Sequence, residues 1–306
     1  MGVVTSDILA GMRTNFQAIL MQALGDKAKT LEPVLKIATK LPSDTDKNSY
    51  NWFGITPPMS EWKDKRKLRG LRPFDYELTN KDWESTLEVE RNAILDDKLG
   101  MIAPRIRSLA GAYYRAVIRE VFSQLDGGTT YTAYDGTAMF SDTRTIGASA
   151  NIDNLLSGAY SGTETEVRAA MSAAIQAMAA FQDDWGEPLN LQPDTIVCSP
   201  AMKLLIVQAL KPGVSGVVRP EAEVFSPDRV IASPWIDADT DNWYVLCTTE
   251  ELKPLLLQDR QAPQFTSLDK VTDQDAFMSK IFYYGVDARF VTGFGDPRTA
   301  IKIVDA

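Results

Sequence analysis

The 306-residue chain contains no histidine. That absence removes Ser-His-Asp and Cys-His nucleophile systems, histidine-ligated zinc and the commonest general base. An enzyme built from this sequence would have to run on carboxylates, lysine, tyrosine or a bound cofactor. Cysteine is scarce. The two present, Cys198 and Cys247, sit in apolar, strand-like stretches (DTIVCSP and NWYVLCTT) and read as buried thiols of a protein made in a reducing compartment. A long hydrophobic run is also missing. The longest small-apolar stretch, 169–181, is interrupted by Ser172 and Gln176 and is shorter than the roughly 20 residues a membrane span needs. The opening MGVVTSDILAGMRTNF has no basic region before an apolar one, so no signal peptide is expected. Gly2 with Ser6 is a coincidental match to a myristoylation motif.

Positive charge is in deficit: 32 Lys and Arg stand against 41 Asp and Glu, a net charge of −9. The deficit is uneven. Residues 1–153 carry 20 basic and 20 acidic side chains, and residues 154–306 carry 12 and 21. Such a chain is a poor candidate for a sequence-specific nucleic-acid binder, whose affinity comes largely from neutralising phosphates.

What remains is ordinary globular composition, 44% hydrophobic and 24% charged, enough to bury a core in one discontinuous domain or two. Residues 6–24 have the spacing of an amphipathic helix, with Ser6 or Asp7 as cap and Ile8, Met12, Phe16 and Ile19 on one face. A helix with one apolar face docks on its own domain or on a neighbour. Residues 34–41 read as a strand. Residues 50–91 combine aromatics (Trp52, Phe53, Trp62, Phe74, Tyr76, Trp83) with a basic run (Lys63, Lys65, Arg66, Lys67, Arg69, Arg72) and end in a polar–apolar alternation over 83–90. A two-stranded excursion of this kind is not stable alone in water, and its apolar side chains imply a covering chain.

A long helix is expected over 96–126, with Pro104 in its first turn. Thr163 with Glu166 forms a capping box for a helix over 164–182. Strands are expected at 195–198, 229–232, 243–247, 276–292 and 300–304, with a helix at 200–210. The class is α+β with mixed sheets.

The phrases YNWFGITPPMSEW and ELTNKDWESTLEVERNAILDDKLG resemble the major head subunit of Mu-like tailed bacteriophages. The later order of elements resembles the Hong Kong 97-like capsid fold. One departure is that the family often has a histidine after the phrase 139–144, where this chain has Arg144 nearby. The resemblance implies an N-terminal arm and lead-in strand (1–47) and an extended loop over a neighbouring subunit (48–92). It implies a peripheral domain (93–163 and 256–292) with a spine helix over 96–126, and an axial domain (164–255 and 293–306). It also implies a non-enzymatic, cofactor-free major capsid protein. Copies would form hexamers and pentamers of an icosahedral head around double-stranded DNA, without sequence-specific DNA binding and without a membrane. Assembly would take place in the bacterial cytoplasm, with scaffold, portal and decoration proteins as partners. The inter-subunit contacts implied are Ile8, Met12, Phe16 and Ile19 of the arm, the aromatics Trp52, Phe53, Trp62, Phe74 and Trp83, and the six basic residues of the loop.

Other readings are weaker. The basic run could bind nucleic acid through phosphates and stacking, or meet acidic faces of neighbouring subunits, which the charge split favours. Asp237, Asp239 and Asp241 begin like a calcium loop, but Asn242 replaces its glycine and Thr248 its final glutamate, so a solvated hairpin loop is expected. Asp96 and Asp97 complement the positive start of the long helix. Gly293-Phe294-Gly295 lacks the third glycine and following helix of a nucleotide motif. An encapsulin-like shell protein and a carboxylate-based hydrolase are the alternative functions.

Overall fold

The computed structural model describes residues 6–50, 59, 61–62, 76–95, 99–158, 162–211, 220–237, 242–270, 273, 276 and 278–305. In chain order its elements are α1 (Ser6–Lys27), α2 (Glu32–Ile37), β1 (Ala38–Pro42), β2 (Lys47–Ser49), β3 (Glu77–Thr79), β4 (Lys81–Glu90), α3 (Arg91–Leu95), α4 (Leu99–Asp126), β5 (Leu155–Gly158), α5 (Glu164–Ala180), β6 (Thr195–Cys198), α6 (Pro200–Leu210), α7 (Glu221–Val224), β7 (Val230–Ala232), β8 (Trp243–Leu246), β9 (Leu255–Leu268), β10 (Ile281–Phe294) and β11 (Ala300–Asp305).

Local chemistry explains most boundaries. The Thr163 side chain accepts from the Glu166 backbone N–H and starts α5. Ser199 does the same for Met202, with Pro200 in the first turn of α6. Residues 34–41 are not a single strand. Pro33 sits in the first turn of α2, Val34 and Ile37 bury one side of it, and the chain becomes extended only at Ala38. Pro104 lies inside α4 rather than in its first turn. The carbonyl that loses its partner is that of Gly100, at the exposed start of the helix.

Two long antiparallel strands dominate the first sheet, whose order is β1-β9-β10-β4. The sequence pattern misses β9, since Gln258, Asp259, Arg260, Gln261 and Pro263 do not alternate and proline lacks a ladder donor. The structure places Pro263 where the register against β10 slips, between Gln264 opposite Asp287 and Gln261 opposite Arg289, a bulge that tolerates it. β10 starts later than 276, because Lys280 takes a φ of 54°, a turn conformation that delays the strand. The alternation over 83–90 is the edge strand β4, paired antiparallel with β10 from Glu90 opposite Ile281 to Lys81 opposite Phe290. The second sheet has five short strands in the order β5-β11-β8-β6-β7, and β2 pairs with β3 in a ribbon of its own.

Three apolar clusters hold these layers. α1 and the first half of α4 cover the four-stranded sheet through Phe16, Leu20, Ile106, Tyr114, Phe282 and Tyr284. The second half of α4 fills the space between the sheets with Val117, Val121, Phe122, Phe290 and Phe294. α5 and α6 cover the five-stranded sheet through Met171, Met178, Ile206, Trp243 and Ile301. Two buried arginines tie loops to this frame. Arg298 lies between Asp184 and Asp296, and Arg144 pairs with Asp135 at 3.4 Å. Both cysteines are free and buried, and burial pushes the Cys198 thiol up to about 12.

Candidate subunit interface

The two residues that flank the segment between β2 and β3 are held together. The Tyr50 N–H donates to the Tyr76 carbonyl at 2.7 Å, so the two ends of residues 51–75 meet. Below them lies a buried polar knot. The Tyr50 hydroxyl donates to Gln258 Oε1 at 2.6 Å, and Gln258 Nε2 donates to Asn80 Oδ1 at 2.8 Å. Asn80 Nδ2 faces Ser43 Oγ at 3.0 Å and the Thr45 carbonyl at 2.9 Å. Tyr76 accepts from the Phe294 N–H at 2.9 Å, and burial pushes its own hydroxyl above the ordinary value. Gly293 lets β3 lie this close, since a Cβ there would stand 2.7 Å from the Leu78 side chain. The lone Gly-x-Gly is thus a packing feature. The sequence carries no signal for this knot, because Tyr50, Asn80 and Gln258 lie far apart along the chain.

Among the described residues β4 is an edge strand of its sheet. On its inner side a groove of about 200 Å³ runs between β4 and α4, lined by Trp83, Ser85, Tyr113, Ala116, Val286 and Phe290. Trp83 is half-buried there. Its indole N–H donates to the Phe290 carbonyl at 3.1 Å, and its ring stacks on Phe290 with centroids 5.0 Å apart. The Arg119 guanidinium lies 5.6 Å above the Trp83 ring. Burial, reinforced by the charge of Asp259, keeps the Tyr113 hydroxyl well above its ordinary pKa.

The outer side of β4 is acidic. Asp82, Glu84, Glu88 and Glu90 are exposed, and Glu84 stands directly opposite Asp287 of β10. Arg289 pairs with Asp82 and, at 2.8 Å, with Asp46. Among the described residues no lysine or arginine pairs with Glu84, Glu88, Glu90 or Asp287. Like charges directly opposite across two strands destabilise the ladder. The alternation of 83–90 signals this strand, but its pairing with Asp287 is invisible without the register.

The residues expected at contacts between subunits separate into three groups. Phe16 is 2% exposed and meets Tyr284 edge-on at 5.0 Å within its own chain, so α1 docks on its own body rather than through Phe16 on a neighbour. The physical reason is that α4 and β10 offer the apolar cover nearest in the fold. Met12 and Ile19 are half-buried beside it, and Ile8 lies in α1. Trp62 is 68% exposed and Met59 fully so, while Trp83 lines the groove. Trp52, Phe53, Lys63, Lys65, Arg66, Lys67, Arg69, Arg72 and Phe74 lie outside the described residues, as do Asp96, Asp97, Asp239 and Asp241.

A family model described as the Mu-like prophage major head subunit gpT matches residues 6–165 and 220–304. The Mu-like prophage FluMu major head subunit of Haemophilus influenzae is 25% identical over 295 residues, covering 96% of this chain and 72% of that protein. The major capsid protein of Escherichia phage Mu is 21% identical over 301 residues, covering 98% of this chain and 75% of that one. Among solved structures, the procapsid of bacteriophage JBD30 superposes with a TM-score of 0.62 at 25% identity, over 99% of this chain and 77% of that one.

Proposed function

The chain belongs to the family of Mu-like prophage major head subunits, a family of structural capsid proteins, and we infer from its architecture how its copies build the shell. The protein is a major capsid protein with the Hong Kong 97-like fold. In the reading proposed here, the extended loop expected over 48–92 shrinks to the segment between β2 and β3, because β4 belongs to the four-stranded sheet. The four-stranded sheet with α4 is the peripheral domain, and it takes in β1 and β4, expected in the arm and the loop; the five-stranded sheet with α5 and α6 is the axial domain that gathers around the axes of hexamers and pentamers, and it takes in β5, expected in the peripheral domain. The shell encloses double-stranded DNA and is built in the host cytoplasm on a scaffold, with portal and decoration proteins joining it. Repeated symmetric contacts, each weak, sum over a closed array, and a wall without excess positive charge does not grip its genome.

The observation that carries this reading is the rooted excursion. Between two residues whose backbones meet, the sequence places a 25-residue segment rich in aromatic and basic side chains. A partner has to cover its apolar side chains, and a second copy is the partner a shell supplies. An encapsulin-like shell is disfavoured by the match to head subunits. A hydrolase is disfavoured because Asp135, Asp184 and Asp296 face buried arginines rather than an open cleft. Negative-stain microscopy of the purified protein tests the reading: closed shells, tubes or rings are expected, and a protein that stays monomeric at every concentration overturns it.

A further inference from the structure

Charge is not spread evenly over the helices. From Leu99 to Arg119, α4 holds no carboxylate, while Arg107, Arg115 and Arg119 recur at spacings of eight and four and stand on one face of the helix. All three are exposed. Position 111, the missing member of that row, is a glycine. A glycine inside a helix costs stability against alanine, and the structure shows what occupies the space it leaves. Lys27, the last residue of α1, lays its amine over Gly111. A Cβ there would stand 2.8 Å from Lys27 Nζ and 3.2 Å from Arg115 Nη1, so two cationic heads crowd above one glycine. Lys27 Nζ also reaches the Arg107 carbonyl at 3.4 Å. Two helices thus complete one unbroken row of Arg107, Lys27, Arg115 and Arg119. Like charges at this spacing repel, and little offsets them. Among the described residues no carboxylate pairs with Lys27, Arg107 or Arg115, and Arg119 has only Glu120, at 3.4 Å.

We propose that this row binds the phosphates of double-stranded DNA, so that the face shared by α1 and α4 is the side of the subunit turned toward the genome. The inference rests on the reading that the shell encloses DNA, and it names the surface that meets it. From Arg107 to Arg119 the row extends about 18 Å along the helix axis. A duplex carries one phosphate charge per about 1.7 Å of its own axis, so a regular line of cations meets a regular line of anions. An acidic protein is the poorer fit. Protein interfaces centre on buried aromatic or apolar anchors, and among the described residues none of the large exposed apolar side chains belongs to α4. The row recognises charge without reading sequence. A few contacts per subunit, screened by salt, hold a duplex weakly, and the acidic chain as a whole still leaves packaged DNA free to move.

The test uses the unassembled full-length protein and a short fluorescent duplex of arbitrary sequence, with anisotropy read across a salt series. Lys27→Gln with Arg115→Gln is expected to weaken binding and to make the slope of log affinity against log salt shallower by about two, close to one for each lost contact. The control pair Lys203→Gln with Lys211→Gln removes exposed cations in and just after α6 and is expected to keep the wild-type slope. Gly111→Glu sets a carboxylate into the row. Its Cβ meets only the flexible ends of Lys27 and Arg115, so this variant is expected to melt no lower than the wild type and yet to lose affinity by about tenfold or more. A wild type that does not bind the duplex at low salt overturns the proposal. So does a slope that the row variants leave unchanged, or that the control pair lowers equally. Tighter row-dependent binding of poly-glutamate than of the duplex overturns it in favour of an acidic protein. Microscopy of the same preparations separates the two readings. Shells with DNA binding that ignores the row sink this proposal alone, and row-dependent binding without shells sinks the shell-building reading alone.

Discussion

Tyr284 shows how single residues set the stability of this subunit. Its ring is packed between Phe16 and Phe265, with centroids 5.0 and 6.2 Å away, and among the described residues its hydroxyl has no hydrogen-bond partner. A buried hydroxyl left unpaired costs about 1–3 kcal/mol. Burial lifts its pKa above the ordinary 10.0, the charge of Asp269 adds to the lift and Arg13 opposes it. The folded state therefore keeps a proton that the unfolded chain gives up near pH 10. Stability is full below that pH and is lost as pH rises beyond it. Tyr244, also lifted by burial and by Asp126, acts in the same direction. Tyr284→Phe is expected to raise unfolding free energy at neutral pH by about 1 kcal/mol and to flatten the decline above pH 10, both read from urea midpoints across that range. Arg298 is the opposite case. It is fully buried but paired with two carboxylates, so removing it would leave charge buried without compensation, a loss of about 3–5 kcal/mol.

Among the elements, α1 is held to the body through Phe16, Leu20 and Leu24. Phe16→Ala removes its largest buried side chain and is expected to cost about 3–5 kcal/mol. Since Phe16 is buried within its own chain, the loss should appear as a lower thermal midpoint of the unassembled subunit, with Met12→Ala, at a half-buried position, costing less. A Phe16→Ala subunit of unchanged midpoint that fails to assemble would return α1 to the role of an arm on a neighbour. The sequence spacing found this helix and its apolar face, yet could not say what covers that face, because cover is a property of the fold. Elements with local signals were readable to within a few residues: the Thr163 cap of α5, Ser199-Pro200 before α6, and the apolar runs of β6 and β8. β9 was not, because its polar residues are carried by pairing with β10, and its proline by a register slip. The switch from α2 to β1 at Ala38 was hidden for a similar reason, as six apolar or neutral residues fit either period. In the candidate interface, the aromatic and basic content of the excursion was plain, while the knot of Tyr50, Asn80 and Gln258 joins residues 208 positions apart and left no pattern to read.

At the scale of the whole molecule, the body is expected to fold without residues 51–75. Because Tyr50 and Tyr76 already meet, replacing 51–75 by a short Gly-Ser link should close the same root at little entropic cost. A wider deletion through β3 would also remove Leu78 and Asn80 from the body. The shortened protein is expected to unfold at the wild-type temperature and to form no closed shells, with calorimetry and microscopy as the two readings. Normal shells from it would remove the segment from assembly altogether. Added salt is expected to raise the concentration at which the wild type assembles, since exposed charge pairs are screened over roughly 8–10 Å at physiological ionic strength. The closed root has a consequence in time as well. Closing a loop between ends that sit side by side costs little entropy, so the body can reach its native state before a partner arrives. Folding and association then run on separate clocks, the first set by chain topology and the second by concentration, and newly made subunits can accumulate complete before any shell begins.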